Sequence, residues 1–77
     1  MGRGLHKRGD ARRAAIVAYL ARRWQDHEDP PTIAELSAAI GLSTTALMHH
    51  VSILRSFGYL HLRSLWLTQH GFQSQEN

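Results

Sequence analysis

Three residues, Gly41-Leu42-Ser43, are all that separate two helix-forming patterns in this 77-residue chain. That brevity constrains the fold more than any other feature. Upstream, Pro30 and Pro31 hold the backbone extended and bar an earlier helical start. Thr32 and Glu35 then stand at the spacing of a capping box, in which hydroxyl and carboxylate each satisfy an orphan amide. Ile33, Leu36 and Ile40 fall at i, i+3 and i+7, one apolar stripe, and Gly41 supplies a left-handed exit. Ser43 is a fresh N-cap only two residues later, so a second helix begins at Thr44 and runs to about Phe57, ended by Gly58. A turn this short forces a sharp crossing, the shape of a helix-turn-helix.

Rotation by 100° per residue separates the faces of the second helix. Leu47, Val51 and Leu54 share the buried side, whereas Thr45, His49, Ser52 and Ser56 share the opposite side. The latter are short donors and acceptors without obligatory charge, which suits a surface laid against base edges in a major groove. A merely solvated face has the same composition, so both readings stand at this level. Base reading is expected from Ser43, Thr44, Thr45, Ala46, His49 and Ser52.

The run Pro-Pro-Thr-x-x-Glu-Leu from Pro30 to Leu36, followed by Gly41-Leu42-Ser43, His50-Val51-x-x-Leu54 and Gly58-Tyr59-Leu60, resembles the N-terminal DNA-binding domain of LexA-type repressors. The resemblance covers about 30 residues continuously and implies a winged helix-turn-helix in a bacterial or phage regulator. It also implies base contacts from the first half of the second helix, here Ser43, Thr45, Ala46 and His49. Ser37 stands where the family usually has a small alanine. The self-cleaving protease domain that follows in the family is not in this sequence, so regulation by autoproteolysis is not expected.

A chain of this length supports one small core, burying about 60% of its unfolded surface. There is no cysteine, hence neither a disulfide nor a thiolate metal site, and no span resembles a signal or membrane segment. A cytoplasmic location is the default expectation. The net charge of +3 conceals an asymmetry: Met1 to Arg23 hold seven of the nine basic residues and one acid, Asp10. Residues 1–9 combine three glycines with Arg3, Lys7 and Arg8 and show no apolar period, so a disordered basic arm is expected there. Such an arm can follow phosphates, although a flexible terminus without function would look the same.

Asp10 is placed to cap a first helix whose stripe is Ile16, Val17, Leu20 and Trp24 and which ends near Gln25, with Trp24 plugging the core. Phosphate contacts are expected from Arg3, Lys7, Arg8, Arg12, Arg13, Arg55 and Arg63. After Gly58 the period shortens to two: Leu60 and Leu62 can pair with Leu67 and Leu65 across Arg63-Ser64, a two-stranded wing. That turn lacks the glycine or asparagine a two-residue loop prefers. The outward face of the wing would carry His61, Arg63 and Trp66, and His61 and Trp66 with Phe72 form an expected partner or dimer surface. A large indole on such a face calls for a partner, a second subunit, or a cap by the tail.

The fold expected is therefore mainly α with a small β-hairpin: a winged helix-turn-helix of three helices and a two-stranded wing over residues 10–71, then a flexible tail, 72–77. No serine has histidine and acid at a suggestive spacing and no glycine-rich loop offers a phosphate cradle, so neither an enzyme nor a cofactor is expected. Consecutive His27-Glu28-Asp29 and adjacent His49-His50 lack the convergence of a metal site. The function expected is sequence-specific binding of double-stranded DNA, with weak homodimerisation or a protein partner. The alternative is a winged-helix module that docks a protein through Trp66.

Overall fold

The computed structural model describes residues 3–75, with side chains from Gly9 onward. Four helices follow in order: α1 (Arg3–Gln25), α2 (Ile33–Ile40), α3 (Thr44–Ser56) and α4 (Gln69–Ser74). Ile16, Val17, Leu20 and Ala21 of α1 meet Leu36 of α2 and Leu47, Val51 and Leu54 of α3, and Leu60, Leu65 and Leu67 close the core. Truncating one of the fully buried leucines to alanine would cost about 2–5 kcal/mol, a large fraction of what so small a core supplies.

Caps define the central pair. Glu35 N–H donates to Thr32 Oγ1 at 3.0 Å and Thr32 N–H donates to Glu35 Oε1 at 2.8 Å, the capping box expected from the spacing. Gly41 turns left-handed at φ 78°, and both its N–H and that of Leu42 donate to Ser37 O. The Ser37 hydroxyl, at the position where a smaller alanine was the family norm, donates to Leu42 O and ties the turn shut. Ser43 Oγ accepts from Ala46 N at 3.2 Å, which starts α3.

Two helices end in full Schellman motifs. For α3, Tyr59 N–H donates to Leu54 O and Gly58 N–H to Arg55 O, with Gly58 at φ 78°. For α1, Glu28 N–H donates to Arg23 O and His27 N–H to Trp24 O, but the left-handed residue is His27, at φ 59°. A β-carbon in this region is a standing conformational cost, normally avoided with glycine.

Several expectations are corrected. The first helix begins at Arg3 rather than Asp10, so the backbone of residues 3–9 is helical where a disordered arm was expected. No proline interrupts that stretch, and each residue added to an existing helix gains a hydrogen bond without a new nucleation cost. Asp10 consequently lies inside α1, where its carboxylate pairs with Arg13 at 2.7 Å instead of capping. The expected tail is also partly helical. Thr68 Oγ1 accepts from Gly71 N–H to cap α4 and donates to Gly58 O, anchoring this helix to the end of α3. The boundaries expected at 9 and 71 are thus crossed by α1 and α4.

The two-stranded wing is not formed. Leu60 and Leu67 do pair, antiparallel, as the alternation predicts, flanked by bonds from His61 N to Trp66 O and from Thr68 N to Tyr59 O. Beyond them the ribbon opens, because Arg63-Ser64 cannot supply the positive φ values of a tight two-residue turn. Leu62 is 78% exposed while Leu65 is buried, so that pair is not made.

The two tryptophans exchange expected roles. Trp24 is 53% exposed and does not plug the core, whereas Trp66 packs partly buried against it. In the last turn of α1, Trp24 meets Trp66 and Phe72 edge-on, with centroids 5.5 and 5.9 Å away. One side of Trp66 is therefore met by α1, whose Trp24 is in turn met by Phe72 of α4.

Candidate nucleic-acid interface

The capped start of α3 fixes which residues emerge from the domain. Thr44, Thr45, His49 and Ser52 are exposed, Ala46 is half-buried, and Leu47, His50, Val51 and Leu54 turn inward. Of the expected readers, Thr45, His49 and Ser52 share one accessible face, with Thr44 and Ala46 to either side of it. Ser43 remains exposed, but its hydroxyl is engaged as the N-cap. Ser56 is turned back along the helix, its hydroxyl donating to Ile53 O at 2.6 Å. Met48 was absent from the sequence reading, yet it is 41% exposed beside these groups. Its azimuth, about 40° from that of Ser52 four residues on, just past a full turn, was the available signal.

His49 and His50, neighbours in sequence, have separate environments. His49 is exposed, whereas His50 is 8% exposed and faces α1, where Arg13 Nη1 lies 3.2 Å from its Nδ1. Because an arginine can only donate, Nδ1 is the acceptor and the ring is neutral in this contact. Burial first, then the charge of Arg13, hold the imidazole below the usual histidine range.

The basic residues do not act as one set. Arg12 and Arg63 are exposed. Arg13 is occupied by Asp10 and His50, and its side chain is only 15% exposed. Arg55 donates through Nε to His61 O at 2.9 Å and more weakly through Nη2 to Ser64 O at 3.4 Å. It holds the open loop after the Leu60–Leu67 bridge against α3. Both were expected at phosphates, and both are committed inside the domain. The side chains of Arg3, Lys7 and Arg8 lie outside the described residues.

The expected partner surface is also rearranged. His61 is exposed beside Leu62, but the rings of Trp66 and Phe72 are turned onto Trp24. Among the described residues, no helix is long and apolar enough to cross a membrane.

No family model and no solved structure matches the chain. Among curated proteins, it is 40% identical over 47 residues to a LexA repressor of Limosilactobacillus reuteri, a match covering 60% of this chain and 23% of that protein. A LexA repressor of Lactobacillus acidophilus is 36% identical over 55 residues, 70% of this chain and 26% of its own length. That of Lactiplantibacillus plantarum is 28% identical over 76 residues, 91% of this chain and 36% of its own. The chain thus spans from about a quarter to about a third of the relatives it matches. Its sequence likeness, together with the capped α2–turn–α3 unit, is that of a LexA-like N-terminal domain.

Proposed function

We propose that this chain is a sequence-specific regulator of transcription, repressor-like, that binds double-stranded DNA in the cytoplasm with α3 in the major groove. The observation that carries the reading is the face of α3: Thr45, His49 and Ser52 project together from a helix whose start is fixed by the Ser43 cap. Short polar groups on a rigid helix read base edges, and Met48 beside them offers a surface for a thymine methyl. The similarity to proteins named LexA repressor supports a regulator rather than an enzyme.

Arg12 and Arg63, with Arg3, Lys7 and Arg8 of the basic N-terminal segment, contact phosphates and position the helix without reading sequence. Arg13 and Arg55 act indirectly, by bracing α3 and the loop after it. One such domain reads few base pairs, so two copies pair weakly on a palindrome with half-sites about 34 Å apart. His61 is the accessible part of the surface first expected to comprise His61, Trp66 and Phe72, and the exposed Leu62 beside it adds to it. Docking of a protein through Trp66 is the weaker reading, because Trp24 meets one side of that ring edge-on and leaves it partly buried.

A salt titration tests the proposal. With about five phosphate contacts, log K for random duplex should fall against log salt with a slope near −4 to −5. Selection from a random library should yield a palindromic site. A flat salt response and no selected sequence would exclude DNA as the partner.

A further inference from the structure

On a basic protein, one region is locally acidic: Asp26, Glu28 and Asp29 are three of the six acids of the chain. Glu28 and Asp29 line a trough of about 300 Å³ walled by Trp24, Trp66 and Pro30, with His27 between them and Trp24 in sequence. Two features make this more than a solvated loop. Trp24 keeps 53% of its surface exposed although two aromatic rings hold it edge-on, so a rigid indole is presented to solvent. The backbone that carries the carboxylates beside it is held too. The Schellman motif closes α1 over residues 26–28, and Arg23 donates twice to Asp29 O, at 2.9 and 2.6 Å. Arg23 also lies 3.6 Å from Glu28, whereas among the described residues Asp26 and Asp29 form no ion pair.

We propose that this trough docks an arginine side chain from a basic segment of a partner protein. An aliphatic side chain would cover the indole but strip water from a carboxylate without replacing its hydrogen bonds. An anion would be repelled. A guanidinium meets both demands, since its plane stacks on the indole while its edge donates to Asp29. The volume admits one long side chain and not a helix. The site is separate from the α3 face and does not depend on the DNA reading.

The test uses the whole chain and the indole N–H signals of Trp24 and Trp66, its only tryptophans. Titration with acetyl-Gly-Arg-Gly-amide should shift the Trp24 signal saturably in the millimolar range, about fivefold tighter than the norleucine peptide. Asp29→Asn, which keeps the backbone carbonyl bonded to Arg23, should weaken arginine binding several-fold and leave norleucine unchanged. Added salt should act in the same direction as Asp29→Asn. Equal binding of the two peptides would overturn the proposal in favour of plain apolar docking. No saturable shift with arginine would also overturn it. So would a Trp24 shift that depends on protein concentration and excludes the peptide, which would assign the trough to a second copy of the chain.

Discussion

Arg13 on α1 and His50 on α3 are 37 residues apart, yet Arg13 Nη1 and His50 Nδ1 approach to 3.2 Å. Asp10, 2.7 Å from the Nη2 of the same guanidinium, completes a chain of contacts from α1 to the helix that carries the candidate readers. The arrangement requires a neutral imidazole.

A pH dependence follows from that requirement. Burial, then Arg13, then His49 and Arg12 disfavour the charged ring, so the folded-state pKa is depressed below its ordinary value near 6.5. The unfolded chain therefore binds the proton more readily. The stability contributed by neutral His50 is fully present above about pH 6.5 and is lost as pH falls through the lower folded value. Thermal unfolding measured from pH 7.5 to 5 should show this loss. His50→Gln, which can still accept from Arg13, should have a flatter profile. Equal slopes in the two proteins would show that the acid sensitivity does not arise at His50.

His27 at φ 59° gives a second prediction. A left-handed β-carbon costs about 1–2 kcal/mol, and the added freedom of glycine in the unfolded chain returns about 0.4–1 of it. His27→Gly should thus stabilise the domain by about 0.5–1 kcal/mol in urea denaturation. Gly58→Ala, at φ 78° in the matching motif of α3, should move stability the other way by about 1 kcal/mol. A destabilised His27→Gly would mean that the imidazole makes a contact outweighing its backbone cost.

These ends show why parts of the fold were legible. Thr32-x-x-Glu35, Gly41, Ser43 and Gly58 act on groups within a few residues of themselves, so their effect is local and readable from spacing. The face of α3 was equally readable, because a helix fixes azimuth. What was not readable depended on distant partners. Nothing near Arg13 or Arg55 in sequence indicates that His50 or the His61 carbonyl will occupy them. Periodicity likewise put Trp24 inside and Trp66 outside, when the outcome rested on α4 forming and bringing Phe72 to Trp24.

The existence of α4 rests on Gly71. A β-carbon there would lie 2.2 Å from Tyr59 O and 3.0 Å from Tyr59 C, backbone atoms that also serve the Leu60–Leu67 bridge region. Alanine normally favours a helix over glycine by about 1 kcal/mol, but overpacking against fixed backbone costs about 1–3 kcal/mol. Gly71→Ala should therefore destabilise the protein. As α4 backs away, Phe72 leaves Trp24 and tryptophan emission should shift to the red. Stabilisation with unchanged emission would show that α4 and the Tyr59 backbone can separate freely.

The last prediction separates two arginines that sequence alone treats alike. Arg55 spends its guanidinium on His61 O and Ser64 O, whereas Arg63 is exposed on the loop those bonds hold. A bond from a charged donor contributes about 1.5–3 kcal/mol when sheltered, and solvent exposure with the long second contact reduces the pair to about 1 kcal/mol. Arg55→Ala should therefore lower stability by about that amount and speed hydrogen exchange of the amides of residues 62–65. Its salt slope on random duplex should stay close to that of the parent. Arg63→Ala should leave exchange unchanged and reduce the slope by about 1, the signature of one lost phosphate contact. If Arg55→Ala instead lowers the slope by about 1 while loop exchange stays slow, Arg55 exchanges its carbonyl partners for a phosphate on DNA, and its bracing role in the bound state is wrong.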